Sequence, residues 1–176
     1  MIVVVRCGHR SRRDERVTTH VCLVARAFGA ERIIIEGSRD NAVLKVVQDV
    51  VERWGGTFKI DFTSSWKKTI KELKQKKFVI VHLTMYGVPI NDIESKIKKH
   101  RKIAVVVGSQ KVSPELYNIS DYNISITNQP HSEIAALAVF LDRYFGGKEI
   151  KKRFKNAKIE IVPQKKGKKV VKKEKE

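Results

Sequence analysis

Five arginines and no lysine fall among residues 6–16, at positions 6, 10, 12, 13 and 16. Arginine offers a planar fork of N–H donors that meets a phosphate at two points, which a lysine ammonium cannot do. Arg6, Arg10, Arg12 and Arg13 are therefore candidate contacts to an anion or to RNA. Salt bridges to Asp14 and Glu15 are their plainer use. His20 follows Arg16 by four positions and shares its face on a helix. An ordinary histidine pKa of about 6.5 suits proton exchange, and packing or capping is the competing role. A second dense stretch, residues 127–133, sets Asn128, Gln129, His131, Ser132 and Glu133 before an apolar segment. Pro130 and Ser132 suit a helix start there, so the loop by itself reads as a well-capped helix. Gly108 and Gly87 each suggest either close backbone approach to something or a tight turn.

These residues need a frame, and the apolar pattern supplies one. Residues 1–7 (MIVVVRC) read as a buried strand, with further strands over 33–35, 57–62, 78–83, 103–107 and 122–126. Helical spacing covers 17–28, 41–54, 66–77, 90–100 and 132–145, with Ser38 expected to cap the second and Gly55-Gly56 to stop it. Strands alternating with helices predict an α/β domain with a mostly parallel sheet. Near-continuous apolar strands agree, because such strands are covered on both faces. Ligands of these sheets bind beyond the carboxyl ends of the strands, which directs attention to residues 84–87, 108–112 and 127–133.

Composition sets the wider bounds. The chain has 176 residues, enough for one ordinary domain, and a formal charge of +18. Residues 148–176 carry 13 Lys and Arg against 4 Asp and Glu, so half of the excess sits in the last sixth. Such a balance points to a polyanion, nucleic acid first. Lysines solvating a thermophilic protein are the bland alternative. His82, inside a strand, reads as a satisfied core histidine. GxGxxG, GxxxxGK[ST] and GxSxG patterns are absent, which disfavours a dinucleotide site, a P-loop and a nucleophile elbow. Cys7 and Cys22 lack metal-ligand spacing to each other or to any histidine, so two buried thiols in a reducing cytosol, and no metal, are expected. No apolar run reaches the roughly 18 residues a membrane span needs, and the cytoplasm is the expected compartment. Beyond Pro163 the tail is low in complexity, with a mobile end expected.

Three stretches together resemble a known family. They are RDERVTTH (13–20) running on to ARAFGA (25–30), VHLTMYG (81–87), and NQPHSE (128–133) followed by AALAVFLDR. These are similar to the archaeal tRNA 2′-O-methyltransferases that modify cytidine 56, within the SPOUT superfamily. The resemblance runs from Met1 to about Val171. It departs at Thr127, where a glycine is expected, and in the lysine-rich tail.

The resemblance implies an α/β SPOUT fold, a mostly parallel sheet flanked by helices with a deep C-terminal trefoil knot. Residues 1–147 would form the methyltransferase domain. Residues 148–176 would be a basic extension, partly ordered to about 171. S-adenosylmethionine would bind at Leu83, at Gly108, Ser109, Gln110, Lys111 and Val112, and at Ile126, Thr127, Asn128, Gln129, Pro130, His131, Ser132 and Glu133. The chain would work as a homodimer on tRNA, with its active site at or near the interface. Arg16, with Arg13 in reserve, would position the ribose 2′-hydroxyl and its phosphate, and His20 would accept the proton. Arginine is an unsuitable base at neutral pH, since its pKa exceeds about 12. Arg6, Arg10, Arg12, Arg13, Lys67, Lys68, Lys165 and Lys166 would meet RNA phosphates. A SPOUT enzyme for another RNA position and a non-catalytic RNA-binding protein remain alternatives.

Overall fold

A computed structural model describes residues 1–108 and 112–173. Six strands build one sheet: β1 Ile2–His9, β2 Arg32–Gly37, β3 Lys59–Thr63, β4 Val79–Pro89, β5 Ile103–Gly108 and β6 Tyr122–Ser125. Their spatial order is β3-β2-β1-β5-β4-β6, and every pairing within it is parallel. The helices between and after them are α1 Glu15–Ala27, α2 Asn41–Trp54, α3 Trp66–Gln75, α4 Ile90–Ile97, α5 Pro114–Ile119 and α6 Glu133–Phe145. Alternation along β1 assigns the two faces. Ile2 and Val4 pack with Val21, Val43, Ile97 and Leu137 of α1, α2, α4 and α6. Val3 and Val5 pack with Ile70, Leu73 and Leu116 of α3 and α5.

The chain lays strands outward from β1 to β3, then returns to build the other half. The order reverses where β1 meets β5, the place where parallel sheets open a crevice for ligands. Every strand read from sequence is present, with ends moved by a few residues. The largest change is in β4. Residues 84–87 leave the ladder, and Leu83 and Val88 both oppose Ile124. A six-residue helix, α5, shows no period in the sequence because it makes fewer than two turns. Ser38 does not cap α2. Asp40, immediately before the first helical residue, accepts from the amides of Ala42 and Val43, and Ser38 lies too early to reach them. Ser132 does cap α6, accepting from the Ile134 amide at 3.1 Å.

The tail is docked over most of its length. A 3₁₀ turn at Lys148–Lys151 leads to an antiparallel hairpin of β7 Ile159–Ile161 and β8 Val170–Lys172. The low-complexity stretch beyond Pro163 thus supplies a strand, because Val170 and Val171 give the segment β-branched residues to pair with β7. The Arg26 guanidinium lies over the Phe154 ring at 4.3 Å, the Gly56 amide donates to Lys155 O, and the Lys158 amide donates to Arg53 O. These anchors sit where α2 ends. Since α2 runs back from the carboxyl edge of the sheet to its amino edge, the hairpin rests at the edge opposite the crevice.

Candidate active site

At the carboxyl ends of β1, β4 and β5 lies an open cavity of about 760 Å³. Arg6 forms its floor. Arg10, Arg13, Asp14 and Val17 line it from the loop after β1 and the start of α1. Residues 82–86 line it from β4, Val107, Gly108 and Val112 from β5 and beyond, Tyr117 from α5, and His131, Glu133 and Ala136 from the entry to α6. Gly108 is close-packed: a Cβ there would overlap the Val112 side chain, so a larger residue would push Val112 aside.

Arg6 carries the strongest chemical signal in the cavity. It shares the strand face of Ile2 and Val4, is only 1% exposed, and places Nη2 3.5 Å from Glu133 Oε1. Its Nε and Nη1 are buried with no hydrogen-bond partner among the described residues. Burial pulls its pKa below the ordinary arginine range, and Glu133 and Asp14 oppose that pull. An unpaired buried guanidinium donor is costly, on the order of a few kcal/mol. A protein tolerates it where a ligand completes the set.

The loop above Arg6 is tied down. Arg10 Nε donates to Asp14 Oδ2 at 3.0 Å, and the Arg10 amide donates to the same oxygen. These bonds hold the Asp14 carboxyl below the usual carboxylate range. Beneath it, His9 Nδ1 meets Thr18 Oγ1 at 2.8 Å and Nε2 lies 3.3 Å from Asp40 Oδ2. Burial, then the nearby Arg6 charge, depresses the His9 pKa. The neutral imidazole thereby links β1, α1 and the cap of α2.

The opposite wall rests on His82, which is buried and hydrogen-bonded as expected. Asn123 donates through Nδ2 to Tyr117 O, so its Oδ1 faces His82 Nδ1 at 2.9 Å. Burial depresses the His82 pKa. The neutral ring therefore carries its proton on Nδ1 and keeps Nε2 as an acceptor. Tyr117 packs edge-on against it, with ring centroids 4.8 Å apart, and its hydroxyl meets Thr84 Oγ1 at 3.1 Å. Asn128 Nδ2 donates to Met85 O at 2.6 Å and to Gly87 O at 3.2 Å, joining the loop before α6 to the loop of β4. At Gly87 a Cβ would stand 2.6 Å from the Asn123–Ile124 backbone, so the bulge of β4 approaches β6 at a separation only glycine permits.

The residues singled out in the sequence fall in several places. Leu83, Gly108, Val112, His131 and Glu133 line the cavity, together with Arg10 and Arg13. Thr127, Asn128, Gln129, Pro130 and Ser132 form an exposed loop beside it, and Ile126 packs against the core. Ser109, Gln110 and Lys111 lie outside the described residues. Arg16 and His20 are exposed on α1 and outside the cavity lining, as is Arg12. Arg6 does not fit its expected place on an RNA-binding surface. Strand alternation turns it inward, where no phosphate backbone reaches without entering the cavity. Lys67 pairs with Glu115 at the start of α3, and Lys68 is exposed there. Lys165 and Lys166 sit on the hairpin turn, at the far edge of the sheet. Tyr117 enters the site without a sequence signal, whereas Thr84 lies in the 84–87 loop that the strand ends pointed to. Arg6 had one, its parity with Ile2 and Val4.

The tRNA ribose 2′-O-methyltransferase family, aTrm56, matches residues 54–171. A tRNA (cytidine(56)-2′-O)-methyltransferase from Thermococcus kodakarensis is 54% identical, over 97% of each chain. One of the same description from Methanopyrus kandleri is 51% identical, over 96% of this chain and 94% of its own. Among solved structures, the SpoU methyltransferase AviRb from Streptomyces viridochromogenes in complex with AdoMet superposes with a TM-score of 0.62 at 13% identity, covering 87% of this chain and 59% of its own. The A. aeolicus TrmH/SpoU tRNA modifying enzyme gives 0.60 at 16%, covering 85% and 76%. The α/β fold is thus that of the SpoU/TrmH enzymes of the SPOUT class. The match over residues 54–171 and the near full-length identity to these relatives mean that the chain belongs to the tRNA ribose 2′-O-methyltransferase family.

Proposed function

We propose that this protein transfers a methyl group from S-adenosylmethionine to the ribose 2′-hydroxyl of cytidine 56 in tRNA. The observation that carries the reading is the cavity at the strand ends, floored by Arg6 with two buried donors unpartnered among the described residues, beside Glu133. The residues suit the cofactor. The volume of about 760 Å³ lies within the roughly 300–1,000 Å³ of small-molecule sites. Leu83, Val107, Val112 and Ala136 supply apolar walls, and Asp14 and Glu133 supply negative charge toward a cationic ligand.

When bound, the cofactor supplies an activated methyl on a sulfonium, so the protein's task is orientation and charge. Leu83, Gly108, Val112 and His131 would hold it, with residues 127–130 closing the edge. Arg10 and Arg13 at the mouth would fix the phosphates flanking the reacting ribose. Arg16 would position the ribose from a second copy, since Arg16 and His20 both lie outside this chain's own cavity, and the proton acceptor is sought inside it. A homodimer is supported by exposed apolar residues, Val17 and Tyr86 in the cavity wall and Val139 on α6. A trefoil knot in the C-terminal half is expected from the likeness to the SpoU/TrmH fold. Reduced Cys7 and Cys22 support a cytoplasmic site of action, and no helix among the described residues is long and apolar enough to cross a membrane.

Labelled S-adenosylmethionine and an unmodified tRNA transcript test the reading. Label is expected in the tRNA and absent without protein. Tight tRNA binding without label transfer would favour a non-catalytic RNA-binding protein.

A further inference from the structure

We propose that Glu133, held by Arg6, accepts the proton of the ribose 2′-hydroxyl. The inference rests on the methyltransferase reading above and assigns a residue to its proton step.

Proton removal needs an acceptor inside the cavity. Arg6, Arg10 and Arg13 have no lone pair to offer. Asp14 is engaged by the Arg10 side chain and the Arg10 amide. His82 spends one ring nitrogen on Asn123 and is 1% exposed beneath the wall. His131 donates through Nδ1 to Gln129 O at 2.6 Å, which leaves its Nε2 as an acceptor, but among the described residues no ion pair orients that ring. Glu133 is set apart by its partner, the buried guanidinium of Arg6. Its side chain is 27% exposed and lines the cavity, and among the described residues its carboxylate meets Arg6 at 3.5 Å. A carboxylate has about four lone-pair sites, so one long contact leaves it able to accept.

Arg6 gives the pair its second half. Its Nε and Nη1, buried and unpartnered among the described residues, are donors for the oxygen that becomes negative as the proton leaves. Donors fixed in advance beside developing charge act more strongly than in water. The plainer role for Glu133 is a first-turn acid complementing the α6 dipole. That role does not require a buried arginine beside it with two donors unused.

The step balances. The 2′ O–H bond breaks and its proton moves to the Glu133 carboxylate. The 2′-oxygen forms a bond to the methyl carbon while the carbon–sulfur bond breaks, and the electron pair stays on sulfur as a neutral thioether. Glu133, now a carboxylic acid, returns the proton to water.

The test is single-turnover methyl transfer to tRNA at saturating cofactor, comparing wild type with Glu133→Gln and Glu133→Asp. Calorimetry with S-adenosylmethionine and a melting temperature accompany each variant. A positioned base contributes about 10²–10⁴-fold. Glu133→Gln is expected to lose at least about 10²-fold in rate at saturating cofactor, a loss well beyond any weakening of cofactor affinity from the removed charge, with melting temperature retained. Its residual rate should climb with hydroxide between about pH 6 and 9, where wild type changes little. Glu133→Asp should recover part of the rate. Glu133→Gln turning over like wild type with the same pH profile overturns the proposal. So does a loss matched by an equal loss of cofactor affinity or stability that Glu133→Asp does not restore. If wild type itself transfers no methyl group to tRNA, the methyltransferase reading fails first.

Discussion

The molecule has two basic regions, and they are built in opposite ways. At the carboxyl edge of the sheet the cations are arginines fixed by the fold: Arg6 on the strand face of Ile2 and Val4, Arg10 locked to Asp14, and Arg13 beside them in the cavity wall. At the amino edge the cations are lysines on a two-stranded hairpin, mostly exposed, with Lys173 paired to Glu160. Arginine costs little side-chain freedom when its fork is pre-set, and it stays charged when buried, so it suits a defined contact. Exposed lysines keep their freedom and water, so they suit attraction without register. The same sign of charge thus suits defined contacts at one edge and attraction without register at the other.

Altering the first region should have the larger consequences. Arg6→Met is expected to lower methyl transfer by about 10²–10³-fold, because donors fixed for a developing charge disappear. Its melting temperature should hold or rise, since an apolar side chain replaces a buried guanidinium with two unmet donors. A large fall in melting temperature with activity intact would assign Arg6 to structure alone. Gly108→Ala comes next. The added methyl displaces Val112 into the cavity, so calorimetry should show S-adenosylmethionine affinity lower by about tenfold. Replacing Lys165, Lys166, Lys168 and Lys169 with glutamine should weaken tRNA binding only severalfold and leave the rate at saturating tRNA unchanged. The log–log slope of binding against salt should become shallower by roughly 0.7–0.9 for each phosphate no longer neutralised. A change in the saturated rate instead would tie the hairpin to the chemistry.

The smallest effect concerns the scaffold beneath the arginines. Burial depresses the pKa of both His9 and His82. The unfolded chain therefore takes up protons that the folded chain refuses. Stability is full above the unfolded value of about 6.5 and falls as pH drops below it. The melting temperature should be flat from about pH 7 to 8 and decline below 6.5, and His9→Gln should shallow that decline.

Much of the frame was legible because it rests on short-range pattern. Apolar runs gave the strands, 3.6-residue spacing gave five helices, and the alternation gave a parallel sheet with its site at the carboxyl edge. What stayed hidden depends on tertiary placement. Helix α5 is too short for a period, so Tyr117 had no signal. The inward turn of Arg6 followed from parity with Ile2 and Val4, but the arginine-rich run suggested a surface. The second strand of the hairpin lay inside a lysine-rich stretch whose composition masked Val170 and Val171. The polar character of residues 127–133 was visible, yet only the fold separates Glu133, in the cavity, from Asn128, which pins the neighbouring loop.

The decisive experiment is methylation of an unmodified tRNA transcript, with the modified nucleotide mapped and a variant transcript carrying another base at position 56 in parallel. Methylation of the 2′-oxygen at cytidine 56 alone, abolished in the variant transcript, is the expected result. Methylation at another nucleotide, on a base, or undiminished in the variant would contradict the assignment.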